Sequence, residues 1–423
     1  MLKLIFVILP ENAGRSARCI IIRYIMKYDF TSIIDREGKD ALAVDVIPFK
    51  GAEIKEGFSK LPMWVADMNF AVPPSIQEAV IKRVSHPAFG YFAPRKEYYQ
   101  AIAGWHKDRY GNDMVSARNI GYENGVLGCL ASAVNAFTAP GEAVLLHSPT
   151  YIGFTHVLED NGRKIILSSL IQDKSGIWRM DYDDMDRKLK QNKIHFAIFC
   201  SPHNPAGRVW EREEIERAME VYAKNDCIVF SDEIWADITL GRGHIPTQSV
   251  SEDAKQRTIA AYAPSKTFNL AGLIGSYHIV YNKYLKDRLD KQSELTHYNS
   301  MNVLSMYALL GAYTEDGKQW VDELNKVLSD NVDYAYDYIC RNFKGVTLAK
   351  PQGTYMLYLD CAKWCEEHGR TLDELILAGI SVGVIWQDGR PFNNPWAIRM
   401  NLALPHSQVI EAFDRLDKYV FTI

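Results

Sequence analysis

The sequence has little cysteine and no excess of positive charge. Its seven cysteines are scattered along 423 residues and odd in number, which argues against a disulfide-rich scaffold and favours a reducing compartment. The 48 basic side chains are balanced by 52 acidic ones, so a nucleic-acid-binding surface is not expected. Cys361 and Cys365 form a near pair, but no second pair or histidine cluster at zinc spacing accompanies them. We expect a cytoplasmic protein without a metal site.

The sequence also lacks an apolar run long enough to span a membrane. Residues 1–10 (MLKLIFVILP) resemble the apolar part of a signal peptide, but no small-residue cleavage site follows closely. A second apolar stretch, 19–26, is interrupted by Arg23. We expect residues 1–25 to be a leader outside the fold, either an upstream-start artefact or a weak secretion signal. The folded chain is then expected to begin at Met26.

The remaining composition is that of an ordinary globular protein, with 47% hydrophobic and 24% charged residues. Short apolar runs alternate with helical patterns from residue 30 onward, which is typical of an α/β fold with a largely parallel sheet. The predicted strands include residues 143–146, 164–167, 196–199, 228–230 and 258–262. The predicted helices between and after them include residues 125–137, 211–225 and 284–295.

The pattern changes after about residue 300, where long helices are predicted over 300–313 and 318–343. Strands at 355–359 and 398–402 and helices at 372–378 and 408–419 then indicate a smaller α+β unit. We expect residues 26–75 to form an N-terminal arm and part of the small domain. A large domain is expected over 76–315, and the small C-terminal domain over 316–423.

Three predicted strands are each followed by a polar residue suited to one reaction site. Asn204 follows the strand at 196–199, Asp232 follows 228–230, and Lys266 follows 258–262. Because ligands bind beyond the carboxyl ends of strands in an open α/β sheet, we expect these three side chains to share a crevice. The trio suits pyridoxal phosphate: lysine forms a Schiff base with its aldehyde, a carboxylate pairs with its ring nitrogen, and an amide meets its phenolic oxygen.

A phosphate site is predicted at the start of the helix over 125–137. The segment from Asn124 to Gly128 (NGVLG) opens this helix, and the free backbone N–H groups of a helix N-terminus bind phosphate. This places a predicted anion site on the same edge of the sheet as the lysine.

Four motifs carry a family resemblance that covers essentially residues 26–423. They are LPMWVADM at 61–68, FGY at 89–91, SPHNP at 201–205 and SKTFNLAGL at 265–273. With them the chain resembles fold-type I pyridoxal-phosphate enzymes of the class I/II aminotransferase superfamily, and more narrowly the cystathionine β-lyase-like C–S lyase branch. The resemblance implies a large domain with a mainly parallel seven-stranded sheet, plus a smaller α+β C-terminal domain.

The resemblance implies a role for each matching cofactor residue. Lys266 is then the Schiff-base lysine and moves the Cα proton, Asp232 pairs with the ring nitrogen, and Asn204 meets the phenolic oxygen. Tyr151 is expected to stack on the ring face, and Ser265 to assist at the phosphate.

The resemblance also implies backbone donors to the phosphate from Gly125, Val126 and Leu127. Tyr91 is expected to reach the phosphate of a neighbouring subunit, which implies a homodimer with a shared active site. Trp235, where a tyrosine is usual, is assigned to the cofactor site.

The substrate is expected to bind beside the cofactor. Arg399 is implied to hold the substrate carboxylate, a task suited to its bidentate guanidinium. Trp64 and Ala66 are expected to line the entrance of the substrate site.

Four positions depart from the patterns of related enzymes. Ile274 stands where many aminotransferases carry a phosphate-binding arginine, Trp235 replaces a tyrosine, and Ala263 replaces a serine. The first two fit the lyase branch better than typical aminotransferases. Asn69 stands where the branch usually has aspartate, which leaves the finer substrate assignment open.

The resemblance implies a pyridoxal-phosphate β-lyase that cleaves cystathionine or a cysteine S-conjugate to a thiol, pyruvate and ammonia. An aminotransferase acting on an amino acid and a 2-oxo acid is the alternative, since it would use the same residues. A purely partner-binding role is disfavoured because Lys266, Asp232, Asn204 and Arg399 are all present.

Overall fold

The computed structural model describes residues 2–7, 20–295 and 299–422, with side chains from Met26 onward. The strands are β1 Leu2–Val7, β2 Ile20–Ile25, β3 Leu61–Pro62, β4 Ile120–Glu123, β5 Ala143–Ser148, β6 Lys164–Ser169, β7 Ile171–Gln172, β8 Trp178–Arg179, β9 Phe196–Cys200, β10 Ile228–Asp232, β11 Thr258–Tyr262, β12 Ser276–Ile279, β13 Met356–Asp360, β14 Val384–Ile385, β15 Gln387–Asp388 and β16 Ala397–Asn401.

α-Helices separate most of the consecutive strands between β4 and β12. They are α1 Leu42–Asp45, α2 Pro74–Val84, α3 Lys96–Tyr110, α4 Val126–Phe137, α5 Ile152–Asp160, α6 Tyr182–Gln191, α7 Arg212–Lys224, α8 Glu252–Arg257, α9 Pro264–Thr267, α10 Lys283–Leu295, α11 Val303–Ala312, α12 Glu315–Asn342, α13 Ala362–His368, α14 Leu372–Ser381 and α15 His406–Leu416.

A seven-stranded sheet forms the centre of the protein, in the order β4-β12-β11-β10-β9-β5-β6. Strand β12 runs antiparallel to both of its neighbours, and the other neighbouring pairs are parallel. All five residues of β9 and of β11 are buried, as expected for strands covered on both faces. The predicted α/β fold with a mainly parallel seven-stranded sheet is confirmed.

A smaller antiparallel sheet, in the order β13-β16-β15, is built from the last third of the chain. Beside it, β14 pairs in parallel with β3, so the N-terminal arm adds a strand to C-terminal structure. The long helix α12 packs its first half around Trp320 against Phe268, and its second half around Ile339 against Leu357. It thereby connects the cores beneath the two sheets. The domain boundaries at residues 75 and 315 stay a prediction.

Several predicted element ends differ slightly from those in the structure. Helix α12 begins at Glu315 rather than at residue 318, because the Thr314 side chain accepts a hydrogen bond from the Gly317 amide and caps the helix. The last α-helix begins at His406, directly after Pro405, and ends at Leu416, where a π-helical segment over Asp417–Phe421 continues it. Both strands predicted in the small unit are present, each displaced by one residue.

The N-terminal segment is described only in part. Strands β1 and β2 pair with each other in an antiparallel arrangement, separate from the other sheets. The rest of the predicted leader, residues 1 and 8–19, lies outside the described residues, and its assignment as a leader stays a prediction. Of the helices that the structure describes, none combines the length and the apolar character needed to cross a bilayer.

Candidate active site

The predicted site lies where three adjacent parallel strands of the central sheet end. Asp232 is the last residue of β10, in register with Cys200 of β9 and Ala261 of β11. Lys266 lies in the short helix α9, which begins with Pro264 directly after the last residues of β11. Asn204 follows β9 and is buried. The structure thus brings Asn204, Asp232 and Lys266 to one edge of the sheet, as the sequence predicts.

Lys266 points toward the N-terminal arm. Its Nζ donates a hydrogen bond of 2.9 Å to the carbonyl oxygen of Ala66. Desolvation in the crevice, and secondly the positive charge of Arg399, lower the pKa of Lys266 to about 8, while Asp67 and Asp232 oppose this shift. A lysine with this pKa is partly neutral near neutral pH, so it can act as a nucleophile or a base.

Asp232 is a buried carboxyl group, 4% exposed. Its Oδ1 accepts a hydrogen bond of 3.0 Å from the Ile234 amide. Burial raises the pKa of Asp232 to about 7, against the lowering effects of this hydrogen bond and of the Lys266 charge. Ionisation of this buried carboxyl is costly when it has no cationic partner. A cation bound against it would favour the ionised form and pair with it strongly.

Arg399 lies on β16 of the small sheet and reaches across to the central sheet. Its Nη1 donates to Asn204 Oδ1 at 3.2 Å, and its Nη2 donates to the Trp64 carbonyl oxygen at 3.2 Å and to Gln387 Oε1. Its buried Nε reaches no hydrogen-bond acceptor among the described residues. Burial lowers the pKa of Arg399 to about 10, so the side chain stays charged near neutral pH. A buried cation with a free donor is suited to bind a carboxylate.

Tyr151 places an aromatic ring beside these polar groups. It precedes α5, and its ring lies edge-on to Phe154 with 5.4 Å between ring centroids. Burial raises the pKa of the Tyr151 hydroxyl, and Arg399 is the largest opposing influence. The phenol therefore stays protonated near neutral pH, consistent with a packing role against a flat ligand.

The start of α4, residues 125–127, is where the sequence predicts a phosphate site, and this segment is called the phosphate cradle below. Gly125 caps the helix with φ +80° and ψ 157°, and a Cβ built there would meet no atom within 4 Å. Val126 and Leu127 occupy the first turn, where backbone N–H groups have no partner within the helix. Open space before free amides is suited to an anion. Ser265, also predicted here, lies half-buried in α9 next to Lys266.

Two further predicted cofactor residues, Tyr91 and Trp235, differ in exposure, and their roles stay predictions. Tyr91 is fully exposed in the segment before α3, and the contact predicted for it involves a neighbouring subunit. Trp235 is buried in the core between α12 and the sheet, and its ring lies edge-on to Tyr355 with 4.7 Å between ring centroids.

The two predicted entrance residues, Trp64 and Ala66, are half-buried. Trp64 is held by a hydrogen bond of 2.9 Å from Nε1 to the Ala43 carbonyl oxygen.

The departures found in the sequence have clear positions in the structure. Ile274 is 59% exposed and leaves its position without a phosphate-binding cation. Asn69 is buried, and its Oδ1 accepts a hydrogen bond of 2.9 Å from Arg36. The same Arg36 forms an ion pair of 2.6 Å with Asp67. The arginine thus holds the turn that presents Ala66 to Lys266.

Two residues near the site were missed in the sequence. Gln387 lies on β15 opposite Arg399 of β16 and accepts one of its hydrogen bonds. Phe392 lies beneath the guanidinium of Arg399, 4.6 Å from ring centroid to Cζ. Neither belongs to a recognisable motif: pairing of β15 with β16 places Gln387, and Phe392 lies in the turn that follows β15.

Comparisons with known proteins agree with this geometry. Residues 60–416 match the family model for aminotransferase class I and II. Cystathionine beta-lyase PatB of Bacillus subtilis (strain 168) is 36% identical over 301 residues, which cover 71% of this chain and 77% of that protein. Protein MalY of Escherichia coli (strain K12) is 28% identical over 394 residues, which cover 90% of this chain and 96% of that protein.

Solved structures give the same result over nearly the whole chain. Cystalysin from Treponema denticola, whose crystal structure contains a pyridoxal 5'-phosphate cofactor, matches with a TM-score of 0.85 and 30% identity over 93% of this chain and 98% of that one. The pyridoxal-phosphate-bound C–S lyase from Staphylococcus hominis matches with a TM-score of 0.83 and 30% identity over the same shares. The chain belongs to the aminotransferase class I and II family.

Proposed function

We propose that this protein is a pyridoxal-phosphate-dependent C–S β-lyase that cleaves cystathionine or a cysteine S-conjugate to a thiol, pyruvate and ammonia. The observation that carries the proposal is the convergence of Lys266, Asp232 and Asn204 with Arg399, which donates to Asn204 at 3.2 Å. The names of the relatives from Bacillus subtilis and Staphylococcus hominis support the choice of a C–S lyase.

The residues at the site fit pyridoxal phosphate. Lys266 offers an amine whose pKa is lowered to about 8, and buried Asp232 offers an anion for a protonated ring nitrogen. Gly125 leaves open space before the first amides of α4, where a phosphate would be held. When bound, this cofactor supplies an aldehyde that combines with amines and a ring that accepts the electron pair left at Cα.

Lys266 is proposed to move the proton at the substrate Cα. A base must be neutral before it can accept a proton, and a pKa of about 8 gives a useful neutral fraction near neutral pH. The hydrogen bond to the Ala66 carbonyl oxygen orients Nζ within the crevice. Asp232 is proposed to stay ionised against the ring nitrogen and so to favour withdrawal of electrons from Cα.

Arg399 is proposed to bind the substrate carboxylate through Nε, the guanidinium donor that reaches no acceptor among the described residues. Gln387 and the Trp64 carbonyl oxygen hold its Nη2 and fix the plane of the guanidinium. A fixed carboxylate orients the bond from Cα to its proton toward the lysine. Removal of that proton places charge next to Cβ, from which a thiolate can leave.

The experiment that tests the proposal measures pyruvate release from L-cystathionine by the purified holoenzyme, with no 2-oxo acid present. Steady release of pyruvate, lost in Lys266→Ala, is the expected result. Conversion of the cofactor to its amine form without pyruvate would instead support the alternative, an aminotransferase that uses the same residues. Lys283→Ala is the matched control, since Lys283 is an exposed lysine paired with Asp287 at 2.5 Å.

We further propose that the enzyme is a cytoplasmic homodimer that completes its active site across the interface. The exposed ring of Tyr91 supports this assembly, since it lies beside exposed Phe89 and Phe92 on the same segment. The six cysteines within the described residues are all free, which agrees with a reducing compartment. Sedimentation of the wild type and of Tyr91→Ala, together with their cofactor affinities, tests the shared site.

A further inference from the structure

Three buried side chains with different donor atoms meet at one end of the central sheet. Glu123 is the last residue of β4, Cys129 lies in the first half of α4, and His278 lies on β12, which pairs with β4. One carboxylate oxygen, the thiol sulfur and one ring nitrogen lie within 4.8 Å of one another. Each of the three residues is buried, and none belongs to the active site described above.

The backbone makes room for the imidazole. His278 is in register with Gly121, and a Cβ built at Gly121 would lie 2.1 Å from His278 Nε2. Only a residue without a side chain allows the ring to lie over this strand and turn toward Glu123. The pairing of β4 with β12 therefore positions the histidine beside the carboxylate.

The imidazole is buried without a hydrogen bond. Among the described residues, neither ring nitrogen of His278 has a partner of hydrogen-bonding geometry, although the residue is 1% exposed. Its Nδ1 lies 3.2 Å from Glu123 Oε1. A tetrahedral ion with bonds of about 2.0–2.1 Å holds its nitrogen and oxygen ligands about 3.3 Å apart. The separation of the two atoms thus suits a shared metal ion.

The groups around the cluster orient these ligands. Glu123 accepts hydrogen bonds from Ser293 at 2.8 Å and from Asn299 at 2.6 Å. His278 Nε2 lies 3.4 Å from Asp290 Oδ1, so a small movement would give the carboxylate–histidine–metal arrangement common in metalloproteins. Nδ1 would then face the ion, and Nε2 would carry the proton.

We propose that Glu123, Cys129 and His278 bind one zinc ion in a structural site. A thiolate, an imidazole and a carboxylate form a typical zinc ligand set, whereas magnesium and calcium prefer oxygen ligands alone. The carboxylate and the thiolate together neutralise the divalent charge, which removes the cost of an uncompensated buried ion. The fourth coordination position would go to the second oxygen of Glu123 or to water.

The zinc site would hold the turn that begins the phosphate cradle. Glu123 and Cys129 lie on either side of Asn124 and Gly125 in the chain. Asn299, which donates to Glu123, also accepts a hydrogen bond of 2.7 Å from the Asn124 amide. An ion bound to β4, α4 and β12 together would fix this turn independently of the cofactor.

The first test measures the metal in the wild-type holoenzyme. The protein is incubated with equimolar zinc, desalted, and analysed by mass spectrometry of the metal; about one ion per chain is expected. Cobalt in place of zinc is expected to give intense tetrahedral ligand-field bands in the red part of the spectrum, where pyridoxal phosphate does not absorb. Retention of no metal, or the pale spectrum of octahedral cobalt, would overturn the proposal.

The second test uses variants of the ligands. Cys129→Ser and His278→Gln are each expected to lose at least about 10-fold in zinc affinity, while Cys340→Ser, at an exposed cysteine, keeps the wild-type affinity. Circular dichroism identifies any variant that fails to fold, and the cobalt spectrum of the wild type then decides the question alone. Folded variants that bind zinc as tightly as the wild type would show that these side chains are not its ligands.

Discussion

The guanidinium of Arg399 donates a hydrogen bond from Nη1 to Oδ1 of Asn204 over 3.2 Å. Arg399 lies on β16 of the small sheet, and Asn204 follows β9 of the central sheet. This contact joins the residue proposed to bind the substrate carboxylate to a residue proposed to bind the cofactor. The contact therefore couples the positions of the two proposed sites. A substitution of Arg399 is expected to weaken substrate binding more than cofactor binding when it leaves the shape of the crevice unchanged.

Substitution of Arg399 by lysine keeps the charge and removes the planar set of donors. We expect KM for L-cystathionine to rise by about 10- to 100-fold, with a smaller fall in kcat, because lysine lacks both the Nε donor and the planar guanidinium that holds this donor in place. Steady-state rates of pyruvate release measure both constants. Arg390→Lys is the matched control, since Arg390 is exposed and pairs with Asp388 at 2.8 Å. Equal KM values in the two variants would contradict the proposed role.

Lys266→Ala is expected to lower the rate of pyruvate release by at least about a thousandfold, because both the amine and the base are lost. The absorbance of the lysine-bound cofactor is expected to disappear with it, while Lys283→Ala keeps both. Visible spectroscopy and the pyruvate assay provide the two measurements. Full activity in Lys266→Ala would exclude the assignment of this lysine.

Much of this site could be predicted from the sequence, because strands buried on both faces are short apolar runs whose ends are visible. Asn204, Asp232 and Lys266 each come within a few residues of the end of such a run, so their meeting is a consequence of parallel pairing. The position of Gly125 at the start of α4 could be predicted in the same way, from a glycine before a helical pattern, while phosphate binding there stays a prediction.

The residues that were not predicted from the sequence are positioned by contacts between segments that are distant in the chain. Gln387 reaches Arg399 only because β15 pairs with β16, and Glu123 meets His278 only because β12 pairs with β4. Neither pairing leaves a local pattern in the sequence. Trp235 packs edge-on against Tyr355 in the core, a contact between distant segments that the sequence does not indicate, and its assignment to the cofactor site stays a prediction.

The rate of cofactor uptake should depend on the protonation of Lys266. Its pKa is lowered to about 8, and only the neutral amine attacks an aldehyde, so uptake by the cofactor-free chain is expected to accelerate from about pH 7 to about pH 9. Stopped-flow absorbance measures the rate. Arg399→Gln is expected to move the midpoint to higher pH, because the charge of Arg399 is the second cause of the lowered pKa. A midpoint near the ordinary lysine value would contradict the expectation.

Asp232→Asn should alter the stability of the cofactor-free chain in a pH-dependent way. Burial raises the pKa of Asp232 from 3.8 to about 7, so the carboxyl favours folding most when it is protonated, below about pH 4. This contribution to the free energy of unfolding decreases between about pH 4 and about pH 7, because the carboxyl is ionised in the unfolded chain but still protonated in the folded chain over that range. The variant is therefore expected to become more stable than the wild type, by up to about 4 kcal/mol at pH 8.

Urea unfolding of the two proteins from about pH 5 to about pH 8 measures this difference. Its growth with pH is the informative quantity, because other titrating groups contribute equally to both proteins. The holoenzymes are expected to show the reverse order, since the asparagine cannot offer a charge to the ring nitrogen. A difference that is constant with pH would contradict a raised pKa at Asp232.

Gly125→Ala tests the phosphate cradle through its backbone. Gly125 has φ +80° and ψ 157°, a conformation that costs other residues about 1–3 kcal/mol, although a Cβ there would meet no atom within 4 Å. The alanine is expected to relieve this strain by rotating the backbone, which turns the first amides of α4 away from the phosphate. The dissociation constant of the cofactor should then rise by about 10-fold or more.

Gly128→Ala is the matched control three residues later in the same helix. A Cβ at Gly128 meets only Asn124 Cβ, at the ordinary contact distance of 3.9 Å. Alanine is expected to stabilise α4 there by up to about 1 kcal/mol, because it has the higher helix propensity. Thermal unfolding and equilibrium binding of pyridoxal phosphate, measured on both variants, separate the two effects. If Gly125→Ala bound the cofactor as tightly as Gly128→Ala, the phosphate would have to be held elsewhere than at the start of α4.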